Sequence, residues 1–321
     1  MSDLHNLAEI NGYLLHLQTQ RNLAAHTLSN YRRDLLQLIA LATVAQPKLL
    51  AALSQIDIRR FASQMHAKGL SASSISRKLS AWRGFFNWLA DQQSMDANPA
   101  RGVKAPKRAR PLPKALGVDD AVRLVSATSP ETAANPTETL CNQAMFELLY
   151  SSGLRVSELT GLDVHYMQQG EHVSAGWIDF EAGEVTVTGK GSKRRSVPVG
   201  AAALAALRAW LATREHMTAP TDAFALFVTA RGKRMTPRAV QTRIKAHAMA
   251  VGIPVNVHPH VLRHSFASHM LQSSGDLRAV QEMLGHASIA STQVYTSLDF
   301  QRLAQVYDAA HPRAKKQKPS P

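Results

Sequence analysis

The stretch HPHVLRHSFASHML, residues 258–271, is the most informative segment in the second half of the chain, because it predicts a helix with candidate functional side chains. We expect this helix to run from His260 to Leu271. An i, i+3 spacing puts the imidazole of His260 and the guanidinium of Arg263 on one helix face. The two side chains can therefore bind one anion together, although two ordinary polar residues on a helix surface give the same pattern.

A zinc site is the alternative interpretation of this stretch. His260 and His264 are four residues apart, and His258 and His269 are close to them in the sequence. Neither an HExxH pattern nor a thiolate accompanies these histidines, so we expect no metal, and we expect no other cofactor.

The segments around this helix predict further helices and one small sheet. Apolar periodicity indicates helices at residues 118–127, 138–151, 155–162, 201–215, 237–251, 277–284, 291–295 and 300–310. Residues 177–180, 184–188 and 195–199 predict a three-stranded meander, and Lys190 lies in its second turn. That turn does not match a phosphate-binding loop, because the glycine spacing is wrong and a strand rather than a helix follows.

The first hundred residues are predicted to be helical throughout. The helix expected from Ser73 to Gln92 has one continuous apolar stripe, which consists of Ile75, Leu79, Trp82, Phe86 and Leu89. We interpret Arg77, Lys78 and Arg83 as lying off that stripe, on a cationic face. Such a face is usually only solvated, but it makes the three residues candidate DNA contacts.

The charge of the chain points to an anionic partner. The sequence has 37 Lys and Arg against 23 Asp and Glu, a formal net charge of +14 at pH 7, and nucleic acid is the leading candidate. Cys141 is the only cysteine, which excludes an intrachain disulfide and a zinc site of several thiolates. The sequence has no run of about 18 apolar residues and no signal peptide, so we expect a cytoplasmic protein.

Much of this charge lies in two segments that have no acidic residue. RGVKAPKRARPLPK, residues 101–114, holds six basic residues and three prolines, which is typical of an extended linker. Its Lys107, Arg108 and Arg110 are candidate contacts to DNA phosphates. The last eleven residues of the chain hold four more basic residues.

Arg155 is a further candidate for binding an anion. It lies in SGLRVSEL, residues 152–159, directly after a glycine turn, and Glu158 follows three residues later. Glu158 can orient the guanidinium through a bidentate pair. An ordinary helix ion pair is the alternative.

Four segments in a fixed order resemble the catalytic signature of the tyrosine recombinases. They are SGLRVSEL (152–159), TGKGSKRRSVPV (188–199), HPHVLRHSFASHML (258–271) and LGHASIASTQVY (284–295). Four separated motifs in order are far more specific than any single one. The resemblance is strong over residues 116–312, and the helical N-terminal half is similar in kind to the core-binding domain of that family.

The resemblance implies a two-domain, C-shaped DNA clamp that is mainly α with a small three-stranded antiparallel sheet. Residues 1–103 are expected to form a helical, SAM-like core-binding domain, and residues 116–310 the tyrosine-recombinase catalytic domain. Residues 104–115 are expected to be a basic, proline-rich linker, and residues 311–321 a basic tail.

The resemblance also implies roles for the residues that match its motifs. Tyr295 matches the nucleophile, which attacks a DNA phosphodiester and leaves a 3′-phosphotyrosyl link and a free 5′-hydroxyl. Arg155 and Arg263 match the paired arginines that hold the nonbridging oxygens of the phosphate. Lys190 matches the hairpin lysine that protonates the departing 5′-oxygen.

Two histidines complete the implied set. His260 matches the position that assists proton transfer at the nucleophile, and His286 matches the position that hydrogen-bonds the phosphate. Chemistry of this kind uses side chains alone and requires no divalent metal.

The ending SLDFQRLAQVYDAAHPRAKK, residues 297–316, resembles the chromosome-dimer-resolving members of the family. This resemblance implies double-stranded DNA with a dif-type site as substrate, and a XerD-like recombinase as partner in a cyclic heterotetramer. A septal DNA translocase of the FtsK type is a further implied partner, and no membrane insertion is expected. A short apolar stripe would pack on its own domain or dock into a neighbouring protomer. It consists of Leu303, Val306, Tyr307 and Ala310.

Two rival functions remain open at this point. A phage-type or transposon-type integrase would share the same catalytic signature. A noncatalytic DNA-binding accessory protein would share the fold, although the presence of all six functional side chains argues against it.

Overall fold

The computed structural model of the chain describes most of its residues. These are residues 2–21, 23, 25–45, 49–92, 95, 97–106, 115–128, 135–189, 193–217, 222–254, 256–285 and 305–314. The chain divides into two units, Met1–Pro111 and Leu112–Pro321, and each unit has a hydrophobic core of its own. Within the described ranges, no helix combines the length and the apolar content that a membrane crossing requires.

The described part of the first unit is helical, as predicted. Its helices are α1 (Ser2–Arg21), α2 (Ala25–Ala45), α3 (Gln55–Ala67) and α4 (Ala72–Gln92), with a 3₁₀ turn at Leu50–Ala52 before α3. Helix α4 packs against the other three helices. The apolar stripe predicted on α4 is confirmed, because each of its five side chains is at most 1% exposed.

The structure differs from the sequence interpretation at Lys78. Lys78 lies three positions after Ile75, so helical geometry places it on the flank of the buried stripe rather than on a cationic face. Its side chain is 8% exposed, and Nζ donates to Asp34 Oδ1 at 3.0 Å. Arg77, which is exposed, also pairs with Asp34. Lys78 therefore ties α4 to α2, and only Arg77 and Arg83 of the predicted face have access to solvent.

The second unit is built around one central helix. Its described helices are α5 (Val118–Ser126), α6 (Pro136–Ser152), α7 (Val156–Thr160), α8 (Ala201–Glu215), α9 (Pro237–Ala250), α10 (Pro259–Ser274) and α11 (Leu277–Leu284). Residues 305–310 are also helical. Helix α6 is buried along most of its length because α5, α8 and α10 pack around it. Each of these seven helices begins within two residues of its predicted start, whereas the helix predicted at residues 291–295 lies outside the described residues.

A small antiparallel sheet lies beside these helices, as predicted. Strands β3 (Gly176–Asp179), β4 (Glu184–Thr188) and β5 (Arg194–Pro198) pair in that order. A second hairpin pairs β1 (Gln168–Gln169) with β2 (His172–Val173). The sequence did not predict this hairpin, because strands of two residues carry no detectable alternation.

The C-terminal apolar stripe packs on its own unit. Tyr307 is fully buried, and its hydroxyl forms a 2.6 Å hydrogen bond with Ser151 Oγ. Val306 and Ala310 also contact the core of the second unit. Leu303 lies outside the described residues. In the described residues, three members of the stripe therefore pack within the chain, and docking into a neighbouring protomer stays a prediction.

The start of the predicted basic tail is also part of the fold. The buried His311 stacks on the ring of Tyr307, with 4.8 Å between ring centroids. Arg313 pairs with the buried carboxylate of Glu147. His311, Arg313 and Ala314 thus have partners inside the unit, which corrects the expectation that the tail begins at residue 311. Residues 315–321 lie outside the described residues.

Candidate active site

Arg155 lies in a tight turn between α6 and α7. Helix α6 ends at Gly153, whose φ of +57° is left-handed, and a Cβ there would lie 2.4 Å from the ring of Phe266. Glycine meets both requirements. The backbone N–H of Arg155 and its Nη1 each donate to Glu158 at 2.8 Å. The side chain of Arg155 is still 37% exposed, so it can meet a ligand.

Arg263 reaches the same place from α10, but it is buried. Its Nη1 donates to Gly153 O at 2.5 Å, and its Nη2 donates to Leu284 O at 2.6 Å. Burial, followed by the charge of Arg155, lowers the pKa of Arg263 to about 10. The guanidinium therefore remains protonated at neutral pH.

A third arginine, Arg195, belongs to this site and was not among the predicted residues. Its Nη1 and Nη2 donate to the two carboxylate oxygens of Glu158 at 2.9 and 2.8 Å. The bidentate pair on Glu158 is thus made by Arg195, not by Arg155. A signal for this was present in the sequence. Arg195 and Val197 alternate inward on β5, and a charged side chain at an inward position needs a buried partner.

Glu158 stays ionised inside the protein. Burial raises its pKa, but hydrogen bonds and charge from Arg195, and then hydrogen bonds from Arg155, outweigh burial and lower the pKa to about 2. One carboxylate therefore lies among three guanidinium ions. We call these four residues the site cluster: Arg155, Glu158, Arg195 and Arg263.

The arginines of the site cluster meet at the end of α11, where three consecutive carbonyls each accept a hydrogen bond from a different arginine. The pairs are Met283 O with Arg195 Nε at 3.0 Å, Leu284 O with Arg263 Nη2 at 2.6 Å, and Gly285 O with Arg155 Nη2 at 3.4 Å. The last carbonyls of a helix have no intrahelical partner, and the helix dipole adds negative charge there. The helix end that directly precedes His286 in the sequence thus holds three cations.

The histidines of α10 have separate environments. His260 is exposed in the first turn of the helix, with its ring centroid 6.0 Å from that of His258. Burial, followed by His260, lowers the pKa of His258. The buried His269 bonds to the Tyr150 hydroxyl through Nδ1 at 2.9 Å and to Leu116 O through Nε2 at 2.8 Å. Both of its ring nitrogens are engaged by protein groups, which argues against a zinc ligand at this position.

The structure thus brings together Arg155 and Arg263, places His260 on the same helix as Arg263, and adds Arg195 and Glu158. Of the other predicted site residues, Arg77, Lys78 and Arg83 lie on α4 of the first unit. The rest lie outside the described residues; they are Lys190, His286, Tyr295, Lys107, Arg108 and Arg110. The hairpin whose turn contains Lys190 is closed at its base, where the Gly189 N–H donates to Lys193 O at 2.8 Å.

Guanidinium ions gathered at a helix end form a site that suits an anionic ligand such as a phosphate. Comparisons with known proteins specify the family. Residues 114–302 match the phage integrase family, and residues 10–93 match the N-terminal SAM-like domain of phage integrases. The two matches fall on the two units.

Relatives and solved structures agree with this match. The chain is 55% identical over 314 residues to tyrosine recombinase XerC 1 of Ralstonia nicotianae, which covers 96% of this chain and 94% of that protein. It is 47% identical over 309 residues to XerC of Pseudomonas aeruginosa, covering 96% of each chain. The solved post-cleavage complex of XerH recombinase with palindromic difH substrate has the same fold. The TM-score is 0.61 at 22% identity, over 90% of this chain and 81% of that one.

The chain therefore belongs to the phage integrase family. It is a tyrosine recombinase, an enzyme of site-specific recombination that cleaves and rejoins DNA. Its mainly helical fold, with a SAM-like first unit and an integrase-type second unit, agrees with the prediction.

Proposed function

We propose that Arg155 and Arg263 bind the nonbridging oxygens of the scissile DNA phosphate. The observation that supports this most directly is their convergence at the end of α11 within a cluster of three cations and one anion. Arg155 remains partly exposed and has N–H groups available beyond those given to Glu158 and Gly285. A planar guanidinium that stays protonated stabilises the negative charge that grows on these oxygens in the transition state.

Tyr295 is the nucleophile in this proposal, and Lys190 is the general acid. The phenolic oxygen attacks phosphorus, the bond to the 5′-oxygen breaks, and Lys190 gives its proton to the departing 5′-oxygen. The products are a 3′-phosphotyrosyl link and a free 5′-hydroxyl. The 5′-hydroxyl of another strand reverses the step and rejoins the DNA, so no cofactor is consumed. The order of the four motifs in the sequence supports these assignments.

The two histidines assist these steps. His260 takes part in proton transfer at the phenol, and its place one helical turn before Arg263 on α10 supports that role. His286 hydrogen-bonds the phosphate. It directly follows Gly285, whose carbonyl accepts from Arg155, and this adjacency supports its role.

The recombinase acts, in this proposal, on chromosome dimers at a dif-type site in the cytoplasm. It works with a XerD-like recombinase in a cyclic heterotetramer and with a septal FtsK-type DNA translocase. The similarity to two XerC proteins over 96% of the chain supports this role over that of a phage or transposon integrase. Residues 1–103 and 116–310 bind the duplex, and the linker, residues 104–115, contacts its phosphates.

Basic residues supply the remaining DNA contacts in this proposal. Arg77 and Arg83 contribute from α4, where both have access to solvent. Lys107, Arg108 and Arg110 contribute from the linker. Lys78 is left out of this set, because its ammonium is buried against Asp34.

A trapped covalent intermediate tests the catalytic assignment. The protein is incubated in EDTA with end-labelled duplexes that carry a nick beside a candidate crossover site, with and without a XerD-like partner. An SDS-resistant protein–DNA band is expected. Tyr295→Phe should abolish the band and leave half-site binding unchanged, because one hydroxyl and no charge is removed. Tyr166→Phe, which alters an exposed tyrosine of the same unit, should keep the band.

The outcomes separate the competing functions. An undiminished band from Tyr295→Phe would show that the nucleophile is another residue. Binding without a band, even with the XerD-like partner present, would favour the noncatalytic accessory protein.

A further inference from the structure

Arg195 is a buried arginine that the proposed function does not use. It is 5% exposed, and it makes hydrogen bonds from Nε, Nη1 and Nη2. All three bonds go to groups that hold a phosphate-site residue or adjoin one that does. Two reach Glu158, and one reaches Met283 O at the end of α11. Such a residue acts on the reaction only through its neighbours.

The first of these neighbours is Glu158. Each oxygen of Glu158 accepts one bond from Arg195 and one from Arg155, so the carboxylate is shared equally between a buried arginine and an exposed one. Without Arg195, Glu158 keeps only its two hydrogen bonds from Arg155, and Arg155 alone faces its full negative charge. Arg155 would then be drawn toward Glu158, and its charge would be less available to a phosphate.

The second neighbour is the end of α11. Arg195 Nε holds Met283 O, which adjoins Leu284, the residue whose carbonyl accepts from Arg263. Gly285 packs directly on Arg195, since a Cβ on this glycine would lie 3.1 Å from Arg195 Cδ. One side chain therefore contacts both the carboxylate that orients Arg155 and the helix end that receives Arg263.

We propose that Arg195 is a positioning residue for DNA cleavage, which sets the geometry of Arg155 through Glu158 and of Arg263 through the end of α11. This inference rests on the proposed roles of Arg155 and Arg263. When an enzyme loses a positioning residue, its reaction rate falls more than its substrate affinity, because small displacements of the binding groups raise the energy of the transition state.

The chain contains a matched control cluster, which we call the scaffold cluster: Arg234, Asp163 and Asp222. Arg234 donates to Asp222 at 2.8 Å and to Asp163 at 2.6 Å. It also donates to the carbonyls of Thr160 and Leu162. Its bonds are thus of the same kinds as those of Arg195, but none of them reaches Arg155 or Arg263.

The test compares Arg195→Lys with Arg234→Lys. Both variants keep a positive charge and lose the planar fork. Single-turnover cleavage of the nicked duplex at saturating protein is measured together with the Kd for a half-site. Arg195→Lys should slow cleavage about 10- to 100-fold and leave the Kd within about twofold. Arg234→Lys should leave both near the wild-type values at a temperature where it is folded.

Three outcomes would overturn the inference: unchanged cleavage in Arg195→Lys, an equal rate loss in Arg234→Lys, or a loss that appears only in the Kd. If Arg195→Lys does not fold, Glu158→Asp carries the test, because the shorter arm cannot serve both arginines and the same rate loss is expected. A wild-type protein that gives no Tyr295-dependent band would instead refute the proposed function. A normal wild-type band with a fully active Arg195→Lys would refute this inference alone.

Discussion

The site cluster and the scaffold cluster both combine arginines with carboxylates, but the site cluster has an excess of positive charge and the scaffold cluster an excess of negative charge. In the scaffold cluster one guanidinium lies between two carboxylates, and Asp163 accepts further hydrogen bonds from Ser174 and His172. In the site cluster three guanidinium ions share one carboxylate. A cluster that serves only the fold has no use for unmatched buried charge. An excess of positive charge is what we expect of a cluster that binds an anion, which agrees with our proposal for Arg155 and Arg263.

The backbone carbonyls that accept hydrogen bonds from the two clusters also differ. Arg234 donates to Thr160 O, at the end of the five-residue helix α7, and to Leu162 O in the turn that follows. The site cluster donates to the last carbonyls of α11, where the helix dipole concentrates partial negative charge. That partial charge offsets part of the excess positive charge of the site cluster.

The largest effect is expected at the carboxylate of the site cluster. Arg195 and Arg155, acting against burial, lower the pKa of Glu158 from its ordinary 4.5 to about 2. Because the pKa is lower in the folded state, ionised Glu158 stabilises the fold at pH values above its ordinary pKa. This stabilisation is lost as the pH falls toward the folded-state pKa. The shift corresponds to about 3 kcal/mol. Urea unfolding from about pH 6 to about pH 2 should show the stability difference between wild type and Glu158→Gln shrinking by this amount.

Asp163→Asn is the matched variant for that measurement. Burial raises the pKa of Asp163, but hydrogen bonds from Arg234, Ser174 and His172 lower it overall, so acid should remove its stabilisation too. The two variants should differ in their rates of DNA cleavage, because only Glu158→Gln should slow cleavage when both variants are folded. Equal cleavage rates in these two variants would contradict the claim that only the site cluster takes part in DNA cleavage.

A smaller effect is expected at two helix ends. Gly285 ends α11 with φ +62°, and Gly275 ends α10 with φ +65°. Alanine at either position should cost about 1 kcal/mol of stability, since the left-handed conformation is strained for a residue with Cβ. A Cβ at Gly275 meets nothing within 4 Å, whereas one at Gly285 meets Arg195. Cleavage should therefore fall about tenfold only in Gly285→Ala, and thermal melting with cleavage assays checks both effects.

Much of the fold was predictable because it is locally encoded. The stripe of α4, the starts of the helices in the second unit and the three-stranded meander follow from the periodicity of apolar residues. Lys78 shows the limit of that reasoning, because its buried partner, Asp34, lies 44 residues earlier in the chain. The packing of residues 311–314 depends on Glu147, which is more than 160 residues away in the sequence.

The site was predictable only in part, because some of its contacts join residues that are far apart in the sequence. Motif order pointed to Arg155, Arg263 and His260, and the structure brings the two arginines to one helix end. Arg195 was missed because its partner, Glu158, lies 37 residues earlier in the chain, and no local pattern says which carboxylate a buried arginine will find. The inward position of Arg195 on β5 predicts that some partner exists.

The central claim, that Arg155 neutralises charge on the scissile phosphate, is tested most directly with a neutral phosphate. Cleavage by Arg155→Ala is measured on matched duplexes with a phosphate or a methylphosphonate at the scissile position, which replaces one charged nonbridging oxygen by a methyl group. We expect Arg155→Ala to lose about 100-fold or more on the phosphate and to return within about tenfold of wild type on the methylphosphonate. Arg195→Lys should not be rescued, because it affects geometry rather than charge. Equal losses by Arg155→Ala on both duplexes would contradict the account.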